Sequence, residues 1–139
     1  MKLAEDAPEE IFNKQYHPEL GSLAFSLGEC VYRELYWLRE MIQGDNDLSN
    51  RVEHLFNPGS LDLEQQCAQL PPKDHLLNWA TEILDHHLML LANPATLPDH
   101  PLLKNDAVVH HILQEHALSY EHFLSQLNLA RMQHIDPAY

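Results

Sequence analysis

The chain has 139 residues, 45% of them hydrophobic, which is the length of one domain and enough apolar material for a real core. Its 8 basic and 21 acidic residues leave a formal charge of −13, which disfavours direct binding to nucleic acid or an anionic membrane. No apolar run approaches the roughly 20 residues a membrane-spanning helix needs, and the start, MKLAEDAPEE, lacks the basic end and apolar run of a signal peptide, so the expected location is cytoplasmic.

Only 4 glycines and little period-two alternation favour helices over sheets. Residues 1–16 are acidic with weak periodicity and read as a flexible N-terminal arm, which Ile11, Phe12 and Tyr16 could pin to the body or to a partner. A first long helix is expected over about 18–43. Pro18 suits a first helical position, Glu19 complements the positive end of the dipole, and Gly44 suits the left-handed residue that follows a helix. On that helix Leu20, Leu23, Ala24, Leu27, Val31, Leu35, Leu38, Met41 and Ile42 share one face. Tyr32, Tyr36 and Trp37 lie off it. They point either to packing under short helices of the same chain or to an interface, where Tyr and Trp are enriched.

GDND is a turn, and Leu48 to Phe56 reads as a short helix. NPGS breaks it, with Ser60 the expected N-cap of a second short helix carrying Leu61, Cys67 and Leu70 and ended by Pro71 and Pro72. A second long helix is expected over about 73–92, with Leu76, Leu77, Trp79, Ala80, Ile83, Leu84, Leu90 and Leu91 on its apolar face. Three prolines in NPATLPDHP make a stiff connection. The third long helix is expected over about 101–133, opened by Pro101 with Asp99 or His100 as cap, or starting instead at Asn105–Asp106. Its expected core face is Val109, Ile112, Leu113, Tyr120, Phe123, Leu124 and Leu127. Residues 136–139 are a tail. The fold class is therefore all-α: a compact single-domain helical bundle over 17–135, with three long helices and two short ones. Cys30 and Cys67 both sit among helical residues, with no framework spacing, and read as reduced thiols.

The 11 histidines are many for this length. His111, Glu115 and His122 are four and seven residues apart and line up on one helical stripe. His111-Ile-Leu-Gln-Glu115 resembles the His-x-x-x-Glu element of hemerythrin-like proteins, a resemblance that implies a metal held by His and carboxylates inside a four-helix bundle. The matching His-x-x-x-His is absent from the chain. The trio also points roughly 150° from the expected core face, whereas an interior metal site must face inward. It is expected as a solvated stripe, or as a surface metal or partner contact. Glu82 and Asp85 form a Glu-x-x-Asp pair similar to half of the magnesium site of all-helical nucleotide pyrophosphohydrolases. The upstream Glu-x-x-Glu is missing, and the pair lies off the apolar face.

Three polar residues do fall on apolar faces: Glu34 on the first long helix, His87 on the second and His116 on the third. A buried carboxylate needs a partner. The three are expected to form a buried polar network, to reach water at the edges of the core, or to bind a divalent metal, iron or zinc, as a two-His, one-carboxylate set. No Gly-rich phosphate loop or nucleophile motif is present, so no catalytic residue is assigned. The expected role is that of a small acidic cytoplasmic protein acting by protein–protein interaction, as adaptor, chaperone or inhibitor, and self-associating as a homodimer. Tyr32, Tyr36 and Trp37 are its candidate interface. The alternative is a metal-binding bundle with a redox or hydrolytic role, built on Glu34, His87 and His116.

Overall fold

Ser22 decides where the central helix begins. Its hydroxyl accepts the Phe25 backbone N–H at 3.1 Å, so the chain enters α3 at Leu23. The computed structural model describes residues 2–17, 19–57 and 59–138. The expected start at Pro18 lies outside them, and Glu19 and Leu20 precede the helix without joining it. In chain order the helices are α1 (Lys2–Asp6), α2 (Glu9–Phe12), α3 (Leu23–Leu35), α4 (Asp47–Phe56), α5 (Leu63–Ala68), α6 (Lys73–Ala92) and α7 (Ala107–Ile135). Among the described residues there is no strand, and the all-α expectation holds.

α3 is the axis of the bundle. Its buried residues Leu23, Ala24, Phe25, Val31 and Leu35 meet Phe56 of α4, Leu76, Ala80 and Ile83 of α6, and Phe123 and Leu127 of α7. Past Leu35 the chain winds into a wider π-helical segment, Tyr36–Ile42. The change of pitch re-phases the expected stripe: Leu38 and Ile42 stay buried with Leu97, Val108 and Ile112, while Met41 is left 41% exposed. Gly44 follows with φ +73, a left-handed residue after the helix, as expected.

The N-terminal residues are not a loose arm. Phe12 is fully buried, and Ala4 and Ala7 join the same core cluster. Lys73 at the start of α6 ties them down by donating to the Glu5 and Ala7 carbonyls at 2.9 and 2.6 Å. Asn13 donates to the Pro71 carbonyl at 3.0 Å. Acidic composition at the surface hid a few small or aromatic residues that bury completely.

Two other boundaries move for local reasons. The N-cap of α5 is Asp62, whose carboxylate accepts the Gln65 N–H at 2.8 Å, and not Ser60. The third long helix begins at Ala107 and not at 101. Pro101 opens a short 3-10 segment capped by His100, and Asn105 and Asp106, at φ 55 and 53, then break it with left-handed backbone.

The inward face of α7 also differs from expectation. Val108, Ile112, Phe123, Gln126, Leu127 and Ala130 are buried, while Leu113 and Tyr120 are 60% and 56% exposed. The true face is turned by about 60° from the expected one. Apolar residues surround this helix almost evenly, so its sequence alone does not say which of them turn inward.

Candidate functional site

Glu34 lies at the C-terminal end of α3, on the face that also carries Val31 and, in the π-helical segment that follows, Leu38. It is 6% exposed and meets both neighbouring long helices. His87 of α6, 1% exposed, donates from Nδ1 to Glu34 Oε2 at 2.5 Å. His116 of α7 donates from Nε2 to Glu34 Oε1 at 3.1 Å. Each carboxylate oxygen thus holds one imidazole, which supplies the partners a buried carboxylate needs. With its hydrogen on Nδ1, the His87 ring keeps a buried Nε2 that has no partner among the described residues.

Charge follows from this geometry. Burial pushes the Glu34 carboxyl up, but the hydrogen bonds from His116 and His87 outweigh it and hold the group below its ordinary 4.5. The Cys30 thiol lies one turn before Glu34 on α3, beside the His116 ring. Together with Glu34, and against the opposing effect of burial, it pushes the His116 imidazole up to about 10. Glu34 and His116 therefore form an ion pair at neutral pH, with His87 as a second donor behind it.

The inward trio of the sequence thus converges, with each Glu34 oxygen taken by one imidazole. Among the described residues no group of three or more His, Cys, Asp and Glu side chains is arranged around a common point where a metal ion would sit. Cys30 is the member of this cluster that sequence reasoning missed. Its spacing of four from Glu34 on one helix was the available signal.

Cys30 and His116 both line a cavity of about 240 Å³ at the junction of α1, α3, α6 and α7. Leu3, Leu27, Val31, Leu84 and Phe123 make it apolar.

The other candidates occupy different places. The His111–Glu115–His122 stripe lies only about 80° from the true inward face of α7. Glu115 consequently meets α3, where Arg33 bridges it at 2.6 Å and Glu29 at 2.9 Å. His111 packs edge-on to Trp37 with ring centroids 5.0 Å apart. Tyr32 lies against Phe56 at 6.4 Å, and Tyr36 meets Trp37 edge-on at 5.2 Å. All three aromatics are half-buried on their own chain, and Tyr32 and Tyr36 also wall a polar cavity of about 520 Å³. Glu82 and Asp85 are exposed on α6. His86 accepts from Arg39 at 2.9 Å, and slight burial together with Arg39 and His87 keeps it below its ordinary 6.5.

No helix among the described residues is long and apolar enough to cross a membrane. Comparison with protein-family models, with curated protein sequences and with solved structures returned no match, so the functional reading rests on the residues themselves.

Proposed function

We propose that this chain is a small acidic cytoplasmic protein that works by binding another protein, as an adaptor, chaperone or inhibitor does, with a second copy of itself as the simplest partner. The observation that supports this is a set of exposed apolar side chains flanking one groove. Leu84 of α6 and His116 and Tyr120 of α7 line the same cavity. On α6, Leu88 falls about 40° from Leu84; on α7, Leu113 falls about 60° from His116. Leu88, Leu113 and Tyr120 are 66%, 60% and 56% exposed. Large apolar side chains gathered around a groove favour an interaction surface, and a two-fold dimer would lay this patch on its own copy. Two free thiols, Cys30 and Cys67, fit a reducing compartment.

Salt separates a second copy from a basic partner. Two chains of charge −13 repel, so self-association should strengthen as salt screens them, whereas binding to a basic protein should weaken. Sedimentation velocity over a range of protein and salt concentrations is the test. The dimer fraction should rise with both, and Leu88→Glu with Leu113→Glu should lower it. A chain that stays monomeric throughout would refute self-association.

A second reading takes Glu34, His87 and His116 as ligands of iron or zinc. It is favoured by their convergence from three helices and by the unpartnered Nε2 of His87. Stoichiometric metal in the purified protein, lost in His87→Ala and His116→Ala, would support it; a metal-free protein would remove it.

A further inference from the structure

Between α3, α5 and α7 lies a cavity of about 540 Å³ whose free polar atoms are mostly hydrogen-bond acceptors. Gln66 of α5 faces it and is 3% exposed. Its Nε2 donates to the Asn57 carbonyl at 2.9 Å and to the His54 carbonyl at 3.3 Å. Two carbonyls can be met by the NH₂ end alone, which fixes the orientation of the amide and leaves Oε1 without a partner among the described residues. Neither carbonyl belongs to a residue lining the cavity, so Oε1 is the end of the side chain turned towards it. An amide oxygen this deeply buried calls for a partner that brings an N–H or O–H. A second wall holds Gln126 of α7, 8% exposed, and is already satisfied: Nε2 donates to the Gly21 and Ser22 carbonyls, and Oε1 accepts the Ser26 hydroxyl at 2.8 Å. Glu29 of α3 adds a carboxylate. Arg33 bridges its Oε1 at 2.9 Å, while Oε2 has no partner among the described residues.

We propose that this cavity binds a small apolar amine, an aryl- or alkylammonium ion, whose N–H groups are taken by Gln66 Oε1 and the Glu29 carboxylate. The chemistry of the lining selects the class. Gln66 and Gln126 have spent their amide hydrogens on backbone carbonyls, and the Ser26 hydroxyl is spent on Gln126, so a ligand carboxylate finds few donors there. It would also meet Glu29 inside and Glu19, exposed at the rim. An ammonium ion reverses each of these terms, since charge-assisted hydrogen bonds to carboxylates are the strong ones. Leu20, Phe25, Leu61 and Leu63 supply apolar walls for the rest of the molecule. The volume falls within the roughly 300–1,000 Å³ of small-molecule sites, and a chain of charge −13 raises the local concentration of cations. This site is separate from the Leu88–Leu113–Tyr120 patch and does not depend on self-association.

The test uses the full chain and three probes that share one ring system: tryptamine, its neutral alcohol tryptophol, and the anion indole-3-propionate. Titration calorimetry is run at about 0.15 M salt, where long-range attraction to the acidic surface is screened. Tryptamine should bind with one-to-one stoichiometry, at least tenfold more tightly than tryptophol, and indole-3-propionate should not bind. One measurement needs no variant: in nitrogen-15 NMR spectra the side-chain amide signals of Gln66 and Gln126 should shift on adding tryptamine, while that of Asn50, on α4 beside a different cavity, stays in place. Glu29→Gln should weaken tryptamine at least fivefold and leave tryptophol unchanged, and Leu61→Arg, which sets a cation in the cavity, should abolish tryptamine binding while circular dichroism confirms the helices. Absence of saturable tryptamine binding, tryptophol binding as tightly as the amine, a Gln66 signal that does not move, or full affinity after Leu61→Arg would each overturn the proposal.

Discussion

Gly28 sits on α3 against the ring of Phe56, and replacing it with alanine sets two effects of opposite sign against each other. In a helix interior Ala is favoured over Gly by about 1 kcal/mol. The added Cβ, however, would lie 2.2 Å from both Cε1 and Cζ of Phe56. Carbon atoms make favourable contact at about 3.5–4.0 Å, so the ring must retreat by more than about 1 Å. It has little room to do so. Phe56 is 1% exposed and stacks on Trp79 at 5.8 Å, with Phe25 at 6.0 Å and Tyr32 at 6.4 Å around it. Overpacking of this kind costs about 1–3 kcal/mol, and the enclosure places Gly28→Ala at the upper end. The net expectation is a loss of about 2 kcal/mol, or a Tm lower by about 8 °C at roughly 4 °C per kcal/mol for a chain of this size. Thermal and urea unfolding followed by circular dichroism measure it. Phe56→Leu in the Gly28→Ala background should recover part of the loss, so that the double variant is more stable than the sum of the singles. A Gly28→Ala protein as stable as the parent would show that helix propensity outweighs the contact and would refute the reasoning.

Three further expectations concern the buried network and the entry to α7. His87→Ala leaves the Glu34 carboxylate short of a buried partner and should cost about 3–5 kcal/mol; Glu34→Leu added to His87→Leu should be better tolerated, because no charge is then stranded, and equal losses in the two proteins would argue against a buried ion pair. The pH dependence of urea midpoints should show both titrations. Glu34 lies below its ordinary 4.5 when folded, so its contribution is present above that pH and lost as pH falls through the lower folded value. His116 lies above its ordinary 6.5, so its contribution is complete below 6.5 and fades as pH climbs towards about 10. The pair is therefore fully effective between pH 4.5 and 6.5, and His116→Gln should flatten the alkaline decline; an unchanged alkaline slope would contradict this. Finally, Asn105 at φ 55 should accept Gly with little change, while Asn105→Val should lose about 1–2 kcal/mol in the same unfolding assay.

Local chemistry settled a good deal of this protein in advance. Few glycines, 3.6-residue periodicity and proline punctuation determine the all-α class, the limits of α6 and the break after α4, because each acts within a few residues of itself. The same periodicity placed Glu34, His87 and His116 on apolar faces, and the requirement that a buried carboxylate find partners made a shared network one of the outcomes expected for them. Tertiary structure decided the rest. α7 carries apolar residues nearly all round, so only packing against α3 selects its inward face. That packing turns Glu115 towards Arg33 and leaves Leu113 and Tyr120 outside. The burial of Phe12 beneath an acidic N-terminal segment depends on carbonyls that reach Lys73 across the chain. Cys30 was read from sequence as one of two reduced thiols. Its place beside His116, at the mouth of a cavity, exists only once α1, α3, α6 and α7 are brought together.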